Sequence, residues 1–398
     1  MHIPFIEQLP DAAFAGQRVF VRCDFNVPLD GQTITDDTRI VSALPTIRAV
    51  IARGGIPILC SHLGRPKDAP DPAWSLAPVA ERLAELLPEQ ELIFADDCIG
   101  EGVQKVAFEL KAGQMMLLEN LRFHRGEKKN EPAFADELAA LAHTYINDAF
   151  GTCHRGDASV DGVARRFPAG RRAVGYLIKA ELDFLGDALN KPERPFVAVL
   201  GGAKVSDKID VIVTLLKKAN TVLVGGAMAY TLLKARGGRV GASLVEDDKL
   251  DEAERILALA AGSELLLPVD HVVGASIDSP AEETRIVEEH IPTGLAGFDI
   301  GPATVALYAA RIRAARTVFW NGPMGVFEKA PYAAGTRAIA EAMAACEGTT
   351  VVGGGDSAAA MRAFDLHEQV THISTGGGAS LEFVQGLELP ALMAIKVD

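Results

Sequence analysis

The chain is poor in the features that mark several protein classes. Its five cysteines (Cys23, Cys60, Cys98, Cys153 and Cys346) are odd in number, far apart and without a CxxC pair. That pattern suggests neither a disulfide framework nor a zinc site, and reads as free, buried thiols in a reducing cytoplasm. Positive charge is the minority: 39 Lys and Arg face 53 Asp and Glu, a net charge of -14. Nonspecific nucleic-acid binding needs a positive surface and is excluded, so an anionic substrate would have to be caught by a local basic cluster. Long apolar runs are also missing. The longest charge-free stretch, Ala219 to Leu233, is too short and too broken by glycine to span a bilayer. The opening residues MHIPFIEQLP carry no basic leader before an apolar run, so the expectation is a soluble, non-exported protein. The P-loop pattern GxxxxGK[ST] does not occur, which removes that class of nucleotide enzyme.

What is present is a long, glycine-rich chain. Its 398 residues exceed what one hydrophobic core usually covers, so two domains of roughly 150 to 200 residues are expected. With 48% hydrophobic residues and 38 glycines the composition is that of a folded protein with many tight turns. Short β-branched or apolar runs recur between helical stretches: VFVRC (19–23), IPILC (56–60), LIFA (92–95), MMLL (115–118) and TYIN (144–147). A second set follows: FVAVL (196–200), TVLV (221–224), TVFW (317–320), TTVV (349–352) and THIS (371–374). Alternation of this kind predicts α/β architecture with parallel sheets. Between the sets, KAELDFLGDALNKPERP places Leu182, Leu185 and Leu189 at helical spacing and ends at Asn190, Lys191 and Pro192. This predicts a connector helix over residues 177–192, with one domain at 1–176 and another at 193–385.

Ligands of open parallel sheets lie beyond the carboxyl ends of the strands. There the two halves differ. In the first, strand ends deliver Asp24 and Asn26, His62 and Arg65, Arg122, and His154 with Arg155. Through Asp183 arginine outnumbers lysine 14 to 6, and the planar guanidinium matches carboxylate or phosphate with two prongs. A small phosphorylated acid fits such a cluster. In the second half the strand ends deliver glycines: GGAK (201–204), GGAM (225–228), NGPMG (321–325), GGGDS (353–357) and TGGG (375–378). Glycine lets phosphate oxygens approach backbone amides, and helix starts favour an anion, so a nucleotide cleft is indicated. Gly353, Gly355 and Ala358 also form a GxGxxA, which raises a dinucleotide-dependent dehydrogenase as a rival; the next strand, however, ends in Ser374 and Thr375, without the required acid. A two-lobed solute-binding protein is the non-enzymatic rival, weakened by the nucleotide-type glycine turns.

Taken in order, RVFVRCDFNVPL (18–29), TDDTRI (35–40), SHLGRP (61–66), ENLRFH (119–124), NDAFGTCHR (147–155), GGAKVSDKI (201–209), NGPMGVFE (321–328), GGGDS and STGGGASLEF (374–383) resemble the phosphoglycerate kinase family. The resemblance implies two Rossmann-like α/β domains facing across a cleft. It implies reversible phosphoryl transfer between 1,3-bisphosphoglycerate and ADP, giving 3-phosphoglycerate and ATP with Mg2+, by a monomeric cytoplasmic enzyme whose domains close about a hinge. By motif, Asp24, Asn26, Arg39, His62, Arg65, Arg122 and Arg155 match the acid-substrate site. Lys204, Lys208, Gly226, Pro323, Glu328, Gly354, Gly355, Asp356 and Ser357 match the nucleotide site, Asp356 being the carboxylate near magnesium. Such a transfer needs alignment and positive charge or amide dipoles rather than a covalent nucleophile; Arg39, Lys208 and the amides of Gly376 and Gly377 are the catalytic candidates. The tail LPALMAIKVD, within 386–398, resembles the family segment that packs back on the first domain.

Two positions depart from the family. HRGD stands where the family reads HRAH, which puts Asp157 in place of the second histidine, and Ser357 stands where threonine is common. If the first half takes the acid and the second the nucleotide, Arg65→Ala weakens 3-phosphoglycerate binding and spares ADP, while Asp356→Ala does the reverse in the presence of magnesium. Calorimetry with each ligand checks this, and loss of ADP alone in Arg65→Ala would reverse the assignment.

Overall fold

The computed structural model describes residues 2–260 and 264–397; at 187–190, Leu189 included, only the backbone is described. Contacts divide the chain into two units, Met1–Leu182 with Glu388–Asp398, and Asp183–Leu387. The dividing point falls inside the helix Tyr176–Asn190. No helix among the described residues is long and apolar enough to cross a membrane.

The first unit is built on a six-stranded sheet ordered Glu91–Phe94, Gln114–Leu117, Ile56–Cys60, Arg18–Arg22, Thr144–Asn147, Arg172–Val174, with every pair parallel. Central strands of such a sheet are covered on both faces, so they are apolar continuously rather than alternately. Ile56–Cys60 is buried at all five positions. Arg18–Arg22 is buried from Val19 onward, and its last residue is a fully buried arginine. From Arg18–Arg22 the chain crosses to one side of the sheet, and from Thr144–Asn147 to the other. Their carboxyl ends therefore flank a crevice of the kind that binds ligands. The C-terminal residues complete this unit: His2 and Val397 exchange backbone bonds of 3.0 and 2.9 Å, and the Ala391 amide donates to the Cys153 carbonyl at 3.2 Å.

The second unit repeats the plan with a six-stranded parallel sheet ordered Glu264–Leu266, Thr221–Val224, Phe196–Leu200, Thr317–Asn321, Thr349–Gly353, His372–Ile373. In chain order this is 3-2-1-4-5-6, the doubly wound order of dinucleotide-binding folds, whose switch point lies between Phe196–Leu200 and Thr317–Asn321. The GxGxxA segment follows the fifth strand, not the first, so it does not occupy the dinucleotide position. An antiparallel three-stranded sheet, Arg285–Glu288, Asp270–Gly274, Ala296–Ile300, is inserted before the fourth strand.

The apolar runs read from sequence are strands within a residue or two of their expected limits, THIS shrinking to His372–Ile373. Arg172–Val174, Glu264–Leu266 and the antiparallel sheet are not announced by the pattern. The first two are three-residue edge strands that open on a charged residue, and the antiparallel strands mix polar and apolar positions.

Asp148, just after Thr144–Asn147, ties this sheet to the start of the helix Tyr176–Asn190. Its Oδ1 accepts from the amides of Leu177 at 2.9 Å and Ile178 at 3.2 Å, while Oδ2 is buried without a partner among the described residues. Burial pushes this carboxyl up to about 7, against the opposing hydrogen bonds from Thr46 and the two amides. A folded-state pKa above the unfolded one favours folding below the unfolded value, and that contribution is lost as pH rises through the folded value. Asp148 therefore makes stability fall between about pH 4 and 7, at roughly 1.4 kcal/mol per pH unit at most. Asp148→Asn keeps an accepting oxygen but does not titrate. Urea unfolding at pH 5 and pH 8 should show a smaller stability difference in the variant, by about 2 to 4 kcal/mol; an unchanged difference would assign the slope to other groups.

Candidate functional sites

In the first unit, the residues after four adjacent strands converge on His62. Asn120, at the end of Gln114–Leu117, fastens the next loop: its Oδ1 accepts from the amides of Leu63 at 3.2 Å and Arg122 at 3.0 Å, and its Nδ2 donates to the carbonyls of Leu63 and Trp74 at 2.8 Å each. The Gly64 amide donates to Asn26 Oδ1 at 2.8 Å, and the Gly64 carbonyl accepts from Arg122 at 2.7 Å. Arg39, in the first turn of the helix Thr38–Ala52, reaches Asp24 at 2.5 Å.

Beneath this layer Arg22 is fully buried and donates to Ser159 Oγ at 2.8 Å, to the Cys23 carbonyl and toward His62 Nδ1 at 3.1 Å. Glu127, also fully buried, accepts from Ser159 through its hydroxyl at 2.6 Å and its amide at 3.0 Å. Burial drives the His62 pKa well below its usual value, and Arg22, Arg122, Arg155 and Arg39 all push the same way. His62 is therefore neutral at physiological pH, with Nδ1 toward an arginine donor, so Nε2 carries its hydrogen. Four guanidinium groups act on this one buried imidazole, and the buried carboxylates of Asp24, Glu127 and Asp157 offset only part of their charge. Arg122 adds a buried Nε with no partner among the described residues, and its pKa is lowered by burial and then by Arg155. The arrangement can accept an anion with several charged oxygens.

In the second unit the Lys208 ammonium sits at the switch point itself. It donates to the carbonyl of Gly201, just past Phe196–Leu200, at 2.6 Å, and to that of Asn321, the last residue of Thr317–Asn321, at 3.0 Å. Burial lowers its pKa to about 8 against the pull of Asp356 and Asp207. The surrounding loops are packed backbone to backbone. Gly202 and Gly226 amides donate to the carbonyls of Pro323 at 3.1 Å and Met324 at 2.9 Å, and the Gly322 amide donates to Ser357 Oγ at 2.6 Å. Gly322 has φ +97°, and a Cβ there would come within 2.2 Å of the Gly201 carbonyl oxygen and 2.6 Å of the Lys208 ammonium. Only glycine fits. Gly354 and Gly377 precede the helices Gly355–Ala363 and Gly378–Gln385, so both glycine turns open helix N-termini, where anions are favoured. The Gly376 amide donates to Ser374 Oγ at 3.1 Å.

Asp24, Asn26, Arg39, His62, Arg122 and Arg155 are thus brought into one neighbourhood. Arg65 is an exposed side chain at the end of the same loop as His62. Lys208, Pro323, Gly226 and Ser357 are joined around the switch point, while Lys204, Glu328 and Asp356 stand exposed near it in sequence. Sequence reasoning passed over Arg22, Glu127, Asn120, Ser159 and Asn321. The available signal for Arg22 was a charge inside an otherwise apolar strand; for Asn321, whose Nδ2 is buried without a partner among the described residues, it was a polar residue ending one.

The model of the phosphoglycerate kinase family matches residues 9–387. A phosphoglycerate kinase of Anaeromyxobacter sp. (strain K) is 56% identical over 387 residues, covering 96% of this chain and 97% of that protein. One from Clostridium novyi (strain NT) is 54% identical over 390 residues, covering 97% of each. The solved structure of phosphoglycerate kinase from Coxiella burnetii superposes with a TM-score of 0.87 at 38% identity over 99% of both chains.

Asp157 is buried, with an oxygen 4.0 Å from Arg122. An anion arriving at that guanidinium would have to compete with it. Asp157→Asn should tighten binding of a phosphorylated carboxylic acid several-fold at low salt. Calorimetry with 3-phosphoglycerate measures it, and unchanged or weaker binding would make Asp157 a support for Arg122 instead.

Proposed function

The chain belongs to the phosphoglycerate kinase family, a transferase of glycolysis, and from that premise we propose how its two units divide the work. The first unit holds 3-phosphoglycerate or 1,3-bisphosphoglycerate on Arg39, His62, Arg65, Arg122 and Arg155, with Asp24 and Asn26 fixing the pocket. The second holds ADP or ATP on Lys204, Lys208, Gly226, Pro323, Glu328, Gly354, Gly355, Asp356 and Ser357. The observation that carries this division is the Lys208 ammonium held by two carbonyls at the switch point of a doubly wound sheet, where phosphates bind.

Asp356 lies in the first turn of the helix Gly355–Ala363 and offers an exposed carboxylate. One hard oxygen donor beside nucleotide phosphates suits magnesium, which keeps much of its water. When bound, the ion would neutralise charge on the phosphate oxygens. The protein's own part is positional. His62 donates from Nε2, the arginines fix the acid through paired bonds, and Lys208 trades its carbonyl partners for the phosphoryl oxygens in flight. Arg39 and the helix start at Gly376 and Gly377 supply the remaining positive potential. Acid and nucleotide are held on separate units, so direct in-line transfer requires the units to close and exclude water, with the helix Tyr176–Asn190 as the hinge element. The enzyme works as a cytoplasmic monomer on small molecules alone.

Lys208→Met should lower turnover by about 10² to 10³ while leaving acid binding unchanged and weakening ADP only modestly. Single-turnover kinetics beside calorimetry separates the two effects, and equal losses of rate and affinity would reduce Lys208 to ground-state binding. In the wild type kcat/KM for ADP should fall as pH rises through about 8, where the free enzyme loses this charge. The variant should lack that limb.

A further inference from the structure

The loops after two neighbouring strands of the first unit also meet through side chains that the pocket described above does not use. Glu91–Phe94 and Gln114–Leu117 pair in parallel, with Phe94 opposite Leu117, so the segments that follow leave the sheet side by side. The Glu119 amide reaches the Asp97 carbonyl at 3.4 Å. One loop carries Asp97 and Cys98, the other His124.

A carboxylate oxygen, a thiol sulfur and an imidazole nitrogen, one from each residue, lie within 4.8 Å of one another. His124 Nε2 is 2.6 Å from Asp97 Oδ1, which also accepts from the Cys98 amide at 2.6 Å. Phe134 lies against the imidazole, ring centres 5.5 Å apart, and restricts its orientation. Cys98 is fully buried, whereas the Asp97 and His124 side chains are 45% and 29% exposed. The trio therefore has a closed floor and one face open to solvent.

We propose that Asp97, Cys98 and His124 bind one divalent transition-metal ion of the zinc class, with water as the fourth ligand. Three ligands of mixed O, S and N type and an open position are the donor set of tetrahedral zinc. A thiolate disfavours magnesium, which prefers oxygen alone, so this site is chemically distinct from the one that accompanies the nucleotide. Two ligands at zinc distances and a tetrahedral angle stand roughly 3.3 Å apart. His124 and Asp97 need separate by well under 1 Å beyond their present hydrogen bond. Binding replaces the Cys98 thiol proton, which leaves to solvent, and no electron is transferred. The isolated cysteines gave no such signal in sequence, because the third ligand lies 26 residues from Cys98 (98 to 124).

Cobalt(II) is the probe, added to the full-length, reduced, nucleotide-free protein and followed by absorption. The expected result is one equivalent bound, with a thiolate-to-cobalt charge-transfer band, visible bands of tetrahedral intensity, and displacement by zinc. Cys98→Ser should abolish the charge-transfer band, and His124→Gln should weaken binding by at least the roughly 10- to 100-fold typical of losing an outer-shell partner. Circular dichroism establishes that both variants fold; His124, being partly exposed, keeps the test valid if Cys98→Ser does not. Cys346→Ser should bind as the wild type does. Absence of the charge-transfer band, its survival in Cys98→Ser, its loss in Cys346→Ser, or unaltered affinity in His124→Gln would overturn the proposal and leave the trio as a hydrogen-bonded clamp.

Discussion

Parallel pairing of every strand in both six-stranded sheets is the constraint from which the sites follow. It sends all carboxyl ends of a sheet to one edge, so residues far apart in sequence, such as Asp24, His62, Arg122 and Arg155, arrive together without any local signal joining them. The same pairing buries both faces of the central strands, which is why Val19–Arg22 and Ile56–Cys60 admit almost no polar side chain. Where one is admitted, it serves the edge. Arg22 spends its donors on Ser159, Cys23 and His62, and thereby joins the interior to the candidate site.

The two pockets solve one electrostatic problem in different ways. In the first unit, burial first and the surrounding guanidinium groups second keep an imidazole neutral, so the pocket carries positive charge without a titrating cation at its centre. In the second, one ammonium is held deep by carbonyl dipoles at the switch point, and burial brings its pKa to about 8. Arginine stays charged under burial, whereas a buried lysine can lose its proton not far above neutrality, so only the second arrangement can be tuned by pH in that range. Glycine makes that arrangement possible, since any side chain at Gly322 would occupy the space of the ammonium.

By itself the sequence determined the α/β class, the central strands, the helix linking the two sets and the family. Those are matters of periodicity, apolar runs and ordered motifs, each readable within about a dozen residues. It also nominated side chains for the two candidate sites, some because strand ends mark them and the rest by their place in family-like motifs. Only tertiary structure decided the rest. The edge strands Arg172–Val174 and Glu264–Leu266 owe their state to neighbours that supply hydrogen bonds, not to their own composition. Asn120 and Ser159 gain roles by meeting backbone and carboxylate groups from distant segments, and Asp148 acquires its raised pKa from burial beneath a helix end. Cys98 and His124 are unremarkable where they stand in the chain; the parallel pairing of the two strands before them puts a thiol, a carboxylate and an imidazole within one ion's reach.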